Sequence, residues 1–257
     1  MKKVLKVLGI LAGIIVLATA GLVAMFILSF AGTSKILDGF EPVPGVHTIR
    51  DKFTSSYMVE VRRGRVLLID AGMDRSAGPI KKALAGWGLK EDAVEAILLT
   101  HGHSDHTGGV SAFPRARVYA LEADIPLAEG RAGSESPMGR LVGARPTGVK
   151  VTNVLRDGQS FKVGNMAVRV FAVPGHTKGS AVYLVRGVLF MGDSADSLKK
   201  GGISGAKWMF SESQKTNHEA LKALATRLKK AGVRAMAFAH SGALAGLKPL
   251  EDFAAAH

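Results

Sequence analysis

Between Thr100 and His106 the chain reads Thr-His-Gly-His-Ser-Asp-His, so His101, His103, Asp105 and His106 place four metal-competent side chains within six residues. Three of the chain's eight histidines fall in this one stretch. Imidazole and carboxylate together suit a borderline divalent cation such as zinc. The stretch follows the apolar run Ala96-Ile97-Leu98-Leu99. A strand ending in a glycine-containing loop can turn such side chains toward one point. The chain has no cysteine, which excludes a thiolate metal site and a disulfide framework.

Three further residues of the same chemistry come at wide intervals. His176 lies in Pro174-Gly175-His176-Thr177-Lys178-Gly179-Ser180, after the strand-like run from Val168 to Val173. Asp193 ends the run Val188-Leu189-Phe190-Met191-Gly192. His240 follows Met236-Ala237-Phe238-Ala239 and precedes Ser241-Gly242. Each time the order is a strand-like run, then a ligand-type residue, with glycine or serine close by. In layered α/β folds, sites form where strand ends open onto loops.

The elements that must position these residues can be read in outline. Val46 to Arg50, Ser56 to Val61 and Val66 to Asp70 read as three successive strands, and Pro79 to Gly88 as a helix. Glu95 to Thr100 is the strand that delivers the first motif, with a helix expected from Thr107 and a strand at Val118 to Leu121. Val151 to Leu155, Gln159 to Val163 and Met166 to Val173 read as one antiparallel set. Ala181 to Val185 and Val188 to Met191 form a hairpin on Arg186-Gly187. Asn217 to Ala231 has Leu221, Leu224 and Leu228 on one helical face. Ala235 to Ala239 is the last strand and Pro249 to His257 a terminal helix. Two stretches, Glu122 to Lys150 and Ser194 to Gln214, lack pattern; long irregular segments near a site are often lids or substrate loops, while residue by residue they read as solvated loop. Trp208 is the residue in them best suited to touch a substrate. His47, His218 and His257 match no ligand position, and Tyr57 and Tyr183 read as core.

The residues quoted resemble the metallo-β-lactamase-fold hydrolase superfamily. His101, His103, Asp105 and His106 match its His-x-His-x-Asp-His motif without a gap. Pro174 to Ser180 resembles the segment with its next histidine, Asp193 its bridging carboxylate and His240 its last histidine. Val66 to Gly72 resembles its early strand ending in an outer Asp, here Asp70. The resemblance covers roughly residues 40 to 250. It implies an α/β fold, a four-layer αβ/βα sandwich with the metals at one edge. It also implies two divalent ions, zinc first and iron or manganese as alternatives. His101, His103 and His176 would hold one, Asp105, His106 and His240 the other, with Asp193 and a water or hydroxide between them. Asp105 is the expected catalytic carboxylate. Two metals about 3.5–4 Å apart can share a nucleophile and polarise a substrate.

The resemblance further implies a hydrolase of ester, thioester, lactone or similar carbonyl bonds, in the glyoxalase-II and lactonase branch. A bridging Asp argues against β-lactamase activity. Seventeen residues follow His240, from which no C-terminal glutathione-binding domain is expected. His103 stands where the flavin-linked diiron branch has Glu. Alternatives are a phosphodiesterase on the same dimetal site, a mononuclear iron persulfide dioxygenase, and a metal-stabilised binding module. The expected partner is a small-molecule substrate, anionic given the basic chain; the oligomeric state is not legible.

The N-terminus reads Met1-Lys2-Lys3-Val4-Leu5-Lys6, and then no charge appears from Val7 to Ala31. A bilayer needs about 20 apolar residues, and the lysines favour a cytoplasmic N-terminus. We therefore expect residues 1–32 to form an anchor, 33–44 a linker and 45–257 the hydrolase domain. The expected location is a bacterial-type inner membrane, single pass, with the domain outside the cytoplasm. The alternative is a signal peptide cleaved after Ala18-Thr19-Ala20, giving a periplasmic or secreted protein; the apolar run from Gly21 to Phe30 argues for the anchor. The formal charge is +13, which favours anionic lipid or anionic substrates. Basic residues are scattered and aromatics make up 6%, so no stacking platform for nucleic acid is expected.

Overall fold

A computed structural model describes residues 2–257 of the chain. The chain divides into two compact units, Met1–Gly32 and Thr33–His257. The first is helix α1 (Lys2–Phe30), with no buried residue. It is long and apolar enough to cross a membrane, a test that a signal sequence also passes.

The second unit holds two six-stranded sheets. In the first, β1 (Val46–Asp51), β2 (Thr54–Arg62) and β3 (Arg65–Ile69) are antiparallel, and β4 (Val94–Leu98), β5 (Arg117–Leu121) and β6 (Asn153–Leu155) continue from β3 in parallel. The second contains β7 (Ser160–Val163), β8 (Met166–Ala172), β9 (Ala181–Val185) and β10 (Val188–Phe190). After a two-stranded ribbon of β11 (Ala195–Ser197) and β12 (Ile203–Gly205), it is completed by β13 (Ala235–Ala237) and β14 (Leu244–Ala245).

Side chains alternate along each strand, so a sheet covered on both faces must be apolar at nearly every position. Leu67, Ile69 and Leu98 pack with Tyr183, Val185 and Phe190 between the sheets. Their neighbours Leu68, Ile97 and Leu99 face outward onto Ile80 and Leu84 of α2 (Gly78–Gly86). Three short helices follow, α3 (Ser104–Thr107), α4 (Ile125–Ala128) and α5 (Pro137–Val142). On the other side Val182, Leu189 and Met236 meet Leu221, Leu224 and Leu228 of α6 (Gln214–Leu228) and Phe253 of α7 (Lys248–Ala256). The result is the four-layer αβ/βα sandwich.

One strand pairing differs from the expected set of three. β6 joins the first sheet, parallel to β5 through Tyr119 and Asn153, whereas β7 and β8 pair in the second. The turn at residues 156–158 carries the chain from one sheet to the other, and alternation alone cannot tell which neighbour a strand takes. In place of the helix expected from Thr107 to Phe113, α3 ends at Thr107 and a single 3-10 turn covers Val110–Ala112. β11 and β12 were hidden because strands of three residues show no period.

Residues 38–40 bond along the outer edge of β1: Gly39 N–H donates to Thr48 O, Thr48 N–H to Phe40 O, and Arg50 N–H to the Asp38 carboxylate. They blunt an edge that would otherwise be open to pairing.

Candidate metal centre

β3 and β4 run parallel, and so do β10 and β13. β8 shares the direction of β10, because β9 is antiparallel to both. Their carboxyl ends deliver Asp70, His101 to His106, His176, Asp193 and His240. Bonds between the sheets close this edge. Ala181 N–H donates to Thr100 O (2.7 Å), Tyr183 Oη to Leu99 O (2.6 Å), and Tyr57 Oη to Phe238 O (2.6 Å). Both tyrosines are thus core residues with a polar tip satisfied at the site end.

All seven sequence-derived residues come together. His101 Nε2, His103 Nδ1 and His176 Nε2 lie 3.0–3.2 Å from one another. Next to them, His106 Nε2 is 3.6 Å from Asp105 Oδ2, and His240 Nε2 is 3.4 Å from the same oxygen. Asp193 lies between the groups. Its Oδ1 is 3.2 Å from His106 Nε2, and its Oδ2 is 3.1 Å from His240 Nε2 and 3.5 Å from His176 Nε2. Three sets of these atoms could hold an ion: His101 with His103 and His176, His101 with His106 and Asp193, and Asp105 with His106 and His240.

The outward ring nitrogens show why the inner ones face the centre. His106 Nδ1 donates to Asp70 Oδ2 (2.8 Å). Asp70 also accepts from Thr100 N–H at Oδ1 and from Thr100 Oγ1 at Oδ2, both at 2.7 Å. The Thr100 hydroxyl, its proton committed to Asp70, accepts from His101 Nδ1 (3.1 Å). Ser211 Oγ donates to Lys207 O (2.7 Å) and so accepts from His176 Nδ1 (3.1 Å). His240 Nδ1 donates to Phe53 O (2.9 Å), and the Phe53 ring stacks on the imidazole at 5.9 Å. Partners of this kind fix a ligand's tautomer and orientation. His103 alone turns Nδ1 inward. Asp70 holds a left-handed backbone (φ 58), a strained conformation for a non-glycine residue.

Burial drives the imidazoles of His101, His103 and His176 below the usual histidine value, His176 to about 3, with the like charge of neighbouring histidines adding to it. Burial acts the same way on His106 and His240. There the carboxylates of Asp193 and Asp105 outweigh it and hold both well above the usual value. Burial would raise Asp105 and Asp193, but His106 and His240 hold both far below the carboxylate range.

This donor set fits a cation. His106 Nε2 and Asp193 Oδ1 are buried and 3.2 Å apart, an ion-pair distance without hydrogen-bond geometry, and neither makes a hydrogen bond to any other group. Buried polar atoms without partners are rare and call for an explanation such as an ion. In the three-histidine group, each inner nitrogen faces two others of the same kind. His101, His106 and His176 are buried, while His103, Asp105, Asp193 and His240 are partly open to solvent. A ligand can therefore approach from that side.

Three contributors were not legible as site residues. Ser211 sits in a stretch without periodicity, and Phe53 contributes a backbone oxygen. Asp124, 1% exposed, accepts from the backbone of both histidine loops. The only signal for Asp124 in the sequence is its place just after a strand. Trp208 is exposed, on a single turn ahead of Ser211. His47 makes its ring contact with Trp87, and His218 and His257 with Phe253, apart from the centre.

Residues 49–233 match the sequence profile of the Metallo-beta-lactamase superfamily. A hydroxyacylglutathione hydrolase from Aeromonas salmonicida is 33% identical over 179 residues, 67% of this chain and 57% of that protein. One from Dechloromonas aromatica is 34% identical over 143 residues, 55% of this chain and 44% of its own. The chain thus spans about half the length of these relatives. Among solved structures, a metallo-beta-lactamase family protein from Thermus thermophilus superposes with a TM-score of 0.62 at 25% identity, over 84% of this chain and 80% of that one.

Proposed function

Because this chain belongs to the metallo-beta-lactamase superfamily, we propose that it is a hydrolase whose centre binds two divalent cations, zinc in the first instance. The observation that carries this reading is the pair His106 Nε2 and Asp193 Oδ1, buried and unsatisfied inside a ring of inward-facing donors. His101, His103 and His176 would hold one ion and Asp105, His106 and His240 the other, with Asp193 available to both, one oxygen toward His106 and the other toward His240 and His176. When bound, such a pair supplies Lewis acidity for a carbonyl and acidifies coordinated water toward neutral pH.

The chain's own residues do the rest. Asp70, Thr100, Ser211 and Phe53 O keep protons on the outer nitrogens of four histidines and so leave the inner nitrogens as donors to the ions. Asp105, its side chain 22% exposed, reaches both the centre and solvent and is the catalytic carboxylate that passes a proton out. The substrate class is a carbonyl ester, thioester or lactone, and the similarity to hydroxyacylglutathione hydrolases supports a thioester first. α1 anchors the enzyme in a membrane, with Lys2, Lys3 and Lys6 on the cytoplasmic side and residues 33–257 outside.

The test is a panel of chromogenic thioesters, esters, lactones and phosphodiesters offered to the full chain, with metal content measured on the same sample. Turnover of a carbonyl substrate by zinc-loaded protein supports the reading. Turnover of phosphodiesters alone, or a single iron, overturns it.

A further inference from the structure

Asp124 is the last residue of the single 3-10 turn that follows β5 and the residue that caps α4, yet its side chain makes no capping bond to that helix. Both carboxylate oxygens reach across to other loops instead. Oδ2 accepts from Gly102 N–H at 2.6 Å, and Oδ1 accepts from Gly179 N–H at 3.0 Å. Gly102 lies between His101 and His103, and Gly179 three residues beyond His176. One buried side chain therefore joins the two loops that carry the three-histidine group.

The packing leaves no slack in this arrangement. A Cβ on Gly102 would stand 2.5 Å from Ala128 N, and one on Gly179 would stand 2.4 Å from Asp124 N. Both loops press directly on the α4 segment, and a side chain at either glycine would force them apart. In the other group, His106 and His240 have anchors that do not involve Asp124. His106 is held by Asp70 and His240 by Phe53 O. Ser241, next to His240, is held by Asp196 (2.9 Å).

We propose that Asp124 is a positioning residue that sets the spacing of His101, His103 and His176, and so governs the affinity of the first metal position selectively. The proposal rests on the two-metal reading above. It assigns Asp124 no contact with substrate. An Asn at 124 can accept at one atom only, so one of the two loops loses its tie; an Ala releases both. A buried carboxylate accepting two backbone N–H groups is the stronger clamp, since bonds to an ionised acceptor are the tighter ones.

The test is a zinc titration of chelator-treated full-length protein against a chromophoric competitor, in wild type, Asp124→Asn and Asp124→Ala, repeated with cobalt to follow its visible bands. We expect one of the two binding steps to weaken by about 10- to 100-fold, as is typical when a metal site loses an outer support. Asn should fall between wild type and Ala, with the other step unchanged and the cobalt spectrum altered for one ion only. Two wild-type steps in both variants overturn the proposal. So does equal weakening of both steps, which marks a general loss of structure. Should Ala fail to fold, Asn alone decides. Wild-type protein that takes up no metal would instead refute the two-metal reading on which the proposal stands.

Discussion

Replacing Asp70 by Asn changes almost nothing in shape and removes the charge that orders the centre from behind. Asp70 accepts three bonds: Thr100 N–H at Oδ1, and the Thr100 hydroxyl and His106 Nδ1–H at Oδ2. An amide offers only one acceptor atom. With its oxygen toward Thr100 N–H, its NH2 faces His106 Nδ1, and the imidazole satisfies it by moving its proton to Nε2. That proton then occupies the donor position aimed at the second ion. A hydrogen bond to a charged group contributes about 1.5–3 kcal/mol, and each 1.4 kcal/mol is tenfold in an equilibrium constant. The second metal position should therefore weaken by about 10- to 100-fold. The Thr100 hydroxyl also turns, since it can no longer donate to a carboxylate, and His101 Nδ1 loses its fixed acceptor. The first position should weaken by less. Competition with a chromophoric chelator measures both steps, and turnover at saturating zinc shows how much activity returns. Wild-type affinity at both positions in Asp70→Asn would refute the reasoning that Asp70 sets the histidine tautomers.

Other expectations follow from the same geometry. Asp193→Ala should lower occupancy of both metal positions, because its two oxygens face the two groups; unchanged metal content would remove it from the ligand set. Zinc added to metal-free protein at pH 7 in weak buffer should release protons, since the neighbouring carboxylates keep His106 and His240 protonated there; uptake without acidification would contradict the assignment. Burial raises Asp124 from 3.8 to about 6, so the metal-free fold binds its proton more tightly than the unfolded chain does. Its contribution is therefore full below about pH 4 and falls as pH rises toward 6, by about 3 kcal/mol at about 1.4 kcal/mol per unit. Urea unfolding should show this decline in wild type and not in Asp124→Asn, and parallel profiles would refute it. The full chain should fractionate with membranes, whereas a soluble product beginning at Gly21 would show cleavage.

The sequence displayed the centre more fully than the scaffold behind it. His101, His103, Asp105 and His106 are adjacent in the chain, and His176, Asp193 and His240 each close an apolar run, so their pattern is local. Asp70 could be suspected on the same ground, as the polar residue at the end of Val66 to Ile69. Asp124 and Ser211 act through bonds to loops distant in sequence, and nothing around them repeats. The long apolar strands were legible because both of their faces are buried. The side of the sandwich taken by β6 was not, because a three-residue strand fits either edge equally well until the fold has closed.

The most direct measurement of the central claim is hydrolysis of a thioester by chelator-treated full-length protein as zinc is added back in known equivalents. Activity should be absent without metal, rise with added zinc and level off at two equivalents. Full turnover by the metal-free protein, or a plateau with no zinc bound, would contradict the account.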